Sequence, residues 1–368
     1  MKRNYVLFVV FALLFLTSCK ESEAKKKKPL IWDIEKLAQM KKDSIFKREV
    51  ENIIVAANRY CSEPPVSVTD NARLFEPNCH YYCSLGQYWW PDSSQVGKYI
   101  NKDGVINPES RNYDIVKLEE LSNRSKILSQ AFYFTEDEKY YRAFLRQLHT
   151  WFIDEKTYMA PNFEYAQVVP GYHNNKGKSS GMIDAYFFNN VIDGICLVND
   201  IKIIDKHTMK QLKKWFLDFA DWSETTYSKV MKDGTQNISL AYDVMLMNFY
   251  LFAGKDRKAK IIAENFAKRR IFVQIKEDGS QPEELCRSKA FSYSVYNLTH
   301  IIDFCYLVRY WDLNYYSKYG DRINAAFFFL QKYIDKPESF PFQQITNWDN
   351  CVKSFSIQME RRNRLMTK

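Results

Sequence analysis

Along most of the chain, apolar residues recur at three- and four-residue intervals, and strictly alternating stretches are scarce. Leu118, Leu121 and Leu128 follow this spacing, as do Leu212, Trp215, Phe216 and Phe219. Such a period puts the residues on one face of an α-helix, which turns about every 3.6 residues. The pattern predicts helices over 32–59, 115–134, 138–152, 183–198, 206–228, 239–252, 257–272, 291–310 and 322–333. Polar runs between neighbours, such as Thr135-Glu136-Asp137-Glu138, supply end signals. Successive amphipathic helices joined by short turns make antiparallel pairs. Stacked around an axis, such pairs form an all-α (α/α) toroid or incomplete barrel; laid in line, they form a solenoid. No fixed-period repeat runs through the sequence, which argues against the solenoid. A toroid gathers its connecting loops at a rim, and here the loops 78–114, 158–182, 232–240 and 274–293 carry the unusual residues.

The first residues have a different character. Lys2 and Arg3 precede an apolar run from Val6 to Leu16, and Leu16-Thr17-Ser18-Cys19 follows. A charged start, a short apolar segment and small residues at the cut describe a secretory signal over 1–18. The run is well short of the roughly 20 residues that span a bilayer. A cysteine directly after Leu-Thr-Ser matches the bacterial lipobox, so Cys19 is the expected lipidation site. Residues 19–28, ending in four lysines, read as a solvated tether. The expectation is an exported protein held by a lipid at Cys19 to the outer membrane, facing the periplasm or the cell surface. Residues 29–368 contain no Pro/Gly/Ser-rich linker and are expected to form one domain.

The formal charge of +9 shrinks on inspection. Without Lys2 and Arg3 it is +7, and the tether's five lysines against two glutamates account for +3 more. About +4 remains from Pro29 onward. This suits an acidic polymer and equally suits an ordinary solvated surface. The basic residues lie in the tether and at Arg361, Arg362 and Arg364, outside any nucleic-acid-binding module, so no nucleic-acid partner is expected. Of eight cysteines, seven remain once Cys19 carries lipid. Cys196 and Cys305 fall in apolar helical runs and read as buried small hydrophobes. Cys61, Cys79 and Cys83 lie in loop-like sequence and are available to pair. Cys79-His80-x-x-Cys83 lacks a matching second half, so no metal site is expected.

Three rim loops carry the chemistry. The first reads His80-Tyr81-Tyr82-Cys83-Ser84-Leu85-Gly86-Gln87-Tyr88-Trp89-Trp90-Pro91-Asp92, followed by Asp103-Gly104-Val105-Ile106-Asn107-Pro108-Glu109. The second holds Asn162-Phe163-Glu164-Tyr165-Ala166-Gln167, Pro170-Gly171 and Gly181-Met182-Ile183-Asp184. The third is Asp278-Gly279-Ser280-Gln281-Pro282-Glu283-Glu284-Leu285, leading through Arg287 to Tyr293. In order and wording these segments resemble the polysaccharide lyase family that includes the mannuronate-cleaving alginate lyases. The likeness is strongest from about residue 78 to 312.

The resemblance implies an (α/α) toroid with a groove for a uronate polymer and a β-elimination needing no redox cofactor and usually no metal. Three things are required: neutralisation of the sugar carboxylate, a base for the C5 proton, and an acid for the departing O4. By the resemblance, Arg287 and Tyr293 serve two of these needs, with the guanidinium expected to favour the phenolate. Asn237 and Gln236 fit the amides that hold the carboxylate, and His80 lines the groove. Tyr81, Tyr82, Trp89, Trp90, Tyr165, Gln167, Tyr242 and Glu284 are the expected substrate contacts, the tryptophan faces suiting sugar rings. One departure stands out. The family reads N-N-H-G-x-x-Y-D where this chain, aligned on Tyr242-Asp243, has Ile238 in place of the histidine, and isoleucine moves no proton. Three readings stay open: Tyr293 and Arg287 suffice, with help from His80 or His173; the substrate differs from alginate; or the protein binds a glycan without cleaving it. A glycoside hydrolase on the same toroid is a further competitor, and Asp184, Asp243, Glu283 and Glu284 would supply its carboxylates. The segment 340–345 is expected to pack back on the domain, with disorder beyond it.

Overall fold

Helix α4 (Glu138–Phe152) shows how the chain builds its walls. Asp137 caps it by accepting the Lys139 N–H, and Tyr140, Tyr141, Ala143, Phe144, Gln147, Leu148, Trp151 and Phe152 bury one face. Its other face is charged, as expected of a helix with one side in water. Helix α7 (Asn237–Phe252) has no such wet face: every residue from Ser239 to Phe252 is buried. Outer helices are therefore one-sided, and inner ones are enclosed.

The computed structural model describes residues 30–70, 77–311 and 313–366. The signal segment 1–18, the lipidation site at Cys19 and the tether 19–28 lie outside the described residues. In chain order the helices are α1 (Ile34–Lys42), α2 (Lys47–Ser62), α3 (Ile115–Thr135), α4 (Glu138–Phe152), α5 (Phe188–Ile201), α6 (Lys206–Asp233) and α7 (Asn237–Phe252). They continue with α8 (Asp256–Phe266), α9 (Phe272–Gln274), α10 (Pro282–Leu285), α11 (Ala290–Leu307), α12 (Tyr315–Gln331) and α13 (Trp348–Met366). Four short strands interrupt them: β1 (Cys83–Leu85), β2 (Trp89–Pro91), β3 (Tyr99–Asn101) and β4 (Tyr165–Val168). Helix α3 packs on α5, α5 on α7 and α7 on α11, which makes an inner arc. Outside it, α2 and α4 back α3, α6 and α8 back α7, and α12 and α13 back α11. This is the expected incomplete (α/α) toroid.

Chain direction assigns the two ends. Helices α3, α5, α7 and α11 begin at one rim, where the motif loops gather. The opposite rim holds the turns α3–α4, α5–α6, α7–α8 and α11–α12.

Several expectations need correcting. The helix predicted over 32–59 is broken at Asp43, whose carboxylate turns back to the Ile45 N–H and starts a new element. Such a local side-chain bond competes with helix continuation. The 183–198 prediction splits into a 3₁₀ segment, Ser179–Phe187, and α5. The disorder expected beyond residue 345 is contradicted by α13, which buries Cys351, Phe355, Gln358, Arg362 and Leu365. Their four-three-four-three spacing is a helical stripe, and it packs on α11. Burying Phe355 and Leu365 contributes about 1.5–3 kcal/mol each, enough to hold a polar helix on the body. The segment before α13 does pack back: Phe340 meets Phe291 at 5.6 Å, and the Ala290 N–H donates to the Gln343 carbonyl. Cys61, Cys79 and Cys83 do not pair. Among the described residues no disulfide is present; Cys83 is buried in β1 and Cys79 is exposed.

Candidate active site

The first motif loop is folded by two small sheets. Strand β1 runs parallel to β4, and β2 pairs antiparallel with β3, setting Trp89 against Asn101 and Trp90 against Ile100. Asn107 fastens the turn by donating its amide to the Trp89 carbonyl at 3.0 Å. Gly104 has φ +75°, and a Cβ there would lie 2.4 Å from the Ser288 hydroxyl. Only glycine permits that approach, and the approach brings Asp103 against the segment before α11.

Asp103 accepts Nε and Nη2 of Arg287 at 3.1 and 2.5 Å, and also the Ser288 N–H at 2.8 Å. Thus fixed, the guanidinium carbon lies 4.2 Å from the centre of the Tyr293 ring. Tyr293 stands in the first turn of α11 and donates its hydroxyl to Tyr88 at 2.8 Å. Burial, followed by the Tyr88 hydrogen bond, pushes the Tyr293 phenol well above the ordinary tyrosine value; Arg287 pulls it down but does not prevail. The expectation that the guanidinium would leave a low phenol is therefore corrected. Desolvating the phenolate outweighs a cation whose charge Asp103 already balances. Near neutrality Tyr293 holds its proton.

Asn237 begins α7 beside this pair. Its N–H and its amide nitrogen donate to the two oxygens of Glu284 at 2.8 and 2.5 Å. Glu284 is only 1% exposed, so it supports Asn237 and is not the substrate contact expected. Burial raises its carboxyl, against the Asn237 hydrogen bonds and the Arg287 charge that lower it. Gln236 is exposed, and its carbonyl takes the Ser239 N–H at 3.0 Å. Ile238 packs against the core with its edge exposed.

Other expected contacts are structural. Tyr82 is wholly buried, stacks on Phe163 at 4.2 Å and donates to Asp184. Tyr242 is 3% exposed with its hydroxyl 3.5 Å from that of Ser223. Tyr165 is buried in a small cluster with Tyr81 stacked on it at 5.8 Å. These corrections share one cause: a tyrosine near a groove gains more from burying its ring than from facing water. Gln167 remains partly exposed and is oriented by Asp184 and Ser180. His80 stacks on Tyr158 at 4.4 Å, with Nδ1 2.6 Å from the Tyr158 carbonyl oxygen. Its partners belong to the loop after α4, not to the Tyr293 cluster. His173 is exposed in a left-handed turn with φ +49°. His300 is fully buried between Tyr186 and Tyr296, and desolvation pushes it down to about 3, so it stays neutral.

Trp89 and Trp90 keep partly open faces, each beneath a lysine. Lys178 Nζ is 3.8 Å from the Trp89 ring and Lys102 Nζ 4.8 Å from that of Trp90. Four residues that sequence reasoning did not select belong to the site: Tyr88, Asp103, Lys178 and Tyr296. Tyr296 lies one turn beyond Tyr293 on the same face of α11 and is 36% exposed. The i, i+3 spacing of the two tyrosines was the available signal. The Tyr88–Tyr293 bond joins residues 205 apart, and no sequence spacing reveals it.

An (α/α) toroid bearing indoles, lysines and a tyrosine–arginine pair at one rim defines the polysaccharide lyase class. The chain belongs to the alginate lyase family, whose model matches residues 68–340. It is similar to the crystal structure of an alginate lyase from Bacteroides ovatus, with TM-score 0.88 and 34% identity over 93% of each chain. It is also similar to alginate lyase A1-III from Sphingomonas species A1, with TM-score 0.54 and 13% identity over 86% of this chain and 81% of that one. A variant of A1-III complexed with a tetrasaccharide gives TM-score 0.53 at 13% identity, over the same shares. The A1-III likenesses speak to the fold alone. Among curated proteins none matches the chain.

Proposed function

We propose that the protein cleaves a uronate polymer such as alginate by β-elimination at the Tyr88–Tyr293–Arg287–Asn237 cluster. The observation that carries the reading is the Arg287 guanidinium clamped by Asp103 against the Tyr293 ring. Arg287 offers N–H groups to the sugar carboxylate, and Asn237, 3% exposed and bonded to Glu284, has one amide hydrogen left to add, which lets the C5 proton leave as charge moves into that group. Tyr293 rests as a phenol, so its proton first passes to solvent by way of the Tyr88 hydroxyl that accepts it; the phenolate then takes the C5 proton, and the phenol so formed gives it to O4 of the departing sugar as the C4–O4 bond breaks and a C4–C5 double bond remains. Ile238 contributes no proton, so both transfers fall to tyrosine. Trp89, under Lys178, offers a flat face to a sugar ring and a cation to its carboxylate.

The hydrolase reading loses its acids. Asp184 is occupied by Tyr82, Ser84 and Gln167, Asp243 by Arg270, and Glu284 by Asn237. Of the four candidates only Glu283 is exposed.

The test follows ultraviolet absorbance of the unsaturated product while the protein meets a panel of uronate polymers, with Tyr293→Phe alongside. Loss of a general acid–base should cost about 10²–10⁴-fold in turnover. A flat trace for the parent on every polymer, with binding retained, would replace the lyase with a glycan-binding protein, the reading Ile238 favours. New reducing ends without absorbance would restore the hydrolase. Export and lipidation at Cys19 are part of the same proposal, supported by the lipobox sequence and checked by the mass of the mature N-terminus.

A further inference from the structure

We propose that the rim opposite the active site is a docking surface for an anionic lipid bilayer, so that the groove is presented away from the membrane. This rests on the anchoring reading for its orientation, while the surface itself is argued from the fold.

The two rims differ in chemistry. The groove rim carries indoles and phenols. At the opposite rim, a cavity of about 1200 Å³ opens between the end of α5, the start of α6 and the α7–α8 turn. Lys206, Lys210, Lys213, Lys255 and Arg257 line it, all exposed and none in an ion pair with a described residue. The sixth cation, Lys258, is matched by Asp221 and Glu224. Lys206, Lys210 and Lys213 follow one another at four and three residues along α6, so their charges share a face. Ile203 lines the same cavity at 79% exposure, and Ile201 at 36% and Leu313 at 45% stand in water at the end of α5 and in the α11–α12 turn. Exposed aliphatics ringed by lysines match acyl chains beneath anionic headgroups. They do not match a sugar, which needs open aromatic faces: of the two aromatic residues lining the cavity, Phe252 is buried and only Tyr310 keeps part of its ring open.

The chain's entry point agrees. Leu30, the first described residue, lines a depression with Arg309 and Tyr310, and Tyr310 also lines the lysine cavity. Ten residues separate Cys19 from Leu30, four of them Lys25–Lys28. An anchor at Cys19 therefore tethers the protein through this rim. The 16-residue α7 alone sets the rims roughly 24 Å apart, which keeps the groove off the surface.

The experiment uses the chain from residue 19 with Cys19→Ser, which removes the lipid and keeps the tether. Flotation with phosphatidylglycerol-containing vesicles is compared with pure phosphatidylcholine vesicles, for the parent and for Lys206→Glu/Lys210→Glu/Lys213→Glu. Each lysine near an anionic surface supports about 1 kcal/mol of binding, so the triple variant should partition about a hundredfold less well. Its activity on soluble oligosaccharides should be unchanged, which shows that it folds. An added Ile203→Trp should be quenched by brominated lipid, beyond any quenching of the native tryptophans. Equal binding of parent and triple variant would place all attraction in the tether and overturn the proposal, as would no preference for anionic lipid. Because the chain tested is unlipidated, failure of lipidation at Cys19 is a separate result.

Discussion

Replacing Asp243 by asparagine should destabilise the protein by about 3–5 kcal/mol, the usual cost of stripping one partner from a buried ion pair. Arg270 is 0% exposed and Asp243 2%. The guanidinium gives Nε to Asp243 at 2.7 Å and its two terminal nitrogens to the Met231 and Gly234 carbonyls, each at 2.6 Å. Asparagine offers one oxygen and sets an amide donor against other donors, leaving a cation with no counter-charge. With an unfolding entropy near 2.1 cal/mol/K per residue, this large chain changes by about 0.7 kcal/mol per degree. The melting temperature should therefore fall by roughly 4–7 °C. Calorimetry and urea melts of Asp243→Asn, Arg270→Met and the double variant Asp243→Asn/Arg270→Met give a cycle. The double variant should cost at least about 2 kcal/mol less than the sum of the singles, since it removes both charges. The same arginine holds the loop that delivers Asn237, so Asp243→Asn should also lose turnover at temperatures where it remains folded. A loss below about 1 kcal/mol, or strict additivity, would refute the reasoning.

Tyr88→Phe removes a hydroxyl that helps raise the Tyr293 phenol. The parent's kcat/KM should climb about tenfold per pH unit on the alkaline side of neutrality as phenolate forms, and the variant's curve should shift to lower pH; an unshifted curve would take Tyr88 out of the proton path. Glu284→Gln keeps one acceptor for Asn237 and loses the other, so KM for polymer should rise several-fold at a stability cost of about 1–2 kcal/mol. A fall in kcat alone would show instead that Glu284 acts on the chemical step. Asp193 accepts the Ile31 and Trp32 N–H groups, yet burial pushes its carboxyl up to about 8. Its contribution to stability is thus full below its unfolded value near 4 and is lost as pH rises through about 8. Urea midpoints of Asp193→Asn should gain on the parent across that window, and parallel curves would show that Asp193 does not titrate there.

Much of the architecture was legible because helical burial writes itself into spacing. Helix α4 begins and ends where its apolar stripe and Asp137 cap place it. Helix α13 escaped because its stripe, Cys351 to Leu365, is diluted by charge, and its burial depends on a distant α11. The motif loops announced the family and placed Tyr293, Arg287 and Asn237 near one another, since family order carries that much. Which tyrosines would face water was not legible. Tyr82, Tyr165 and Tyr242 carry the same side chain as Tyr88 and Tyr296, and only the packing of other segments around each ring decides whether its hydroxyl meets a buried partner or the groove. The protonation of Tyr293 is likewise a product of the fold. A nearby arginine predicts a lower phenol; Asp103, brought 184 residues along the chain to that arginine, together with burial, reverses the sign. Local spacing thus determined the helices and the kinds of chemistry available. Burial and long-range contacts, which depend on the whole chain, decided which groups remain free to perform it.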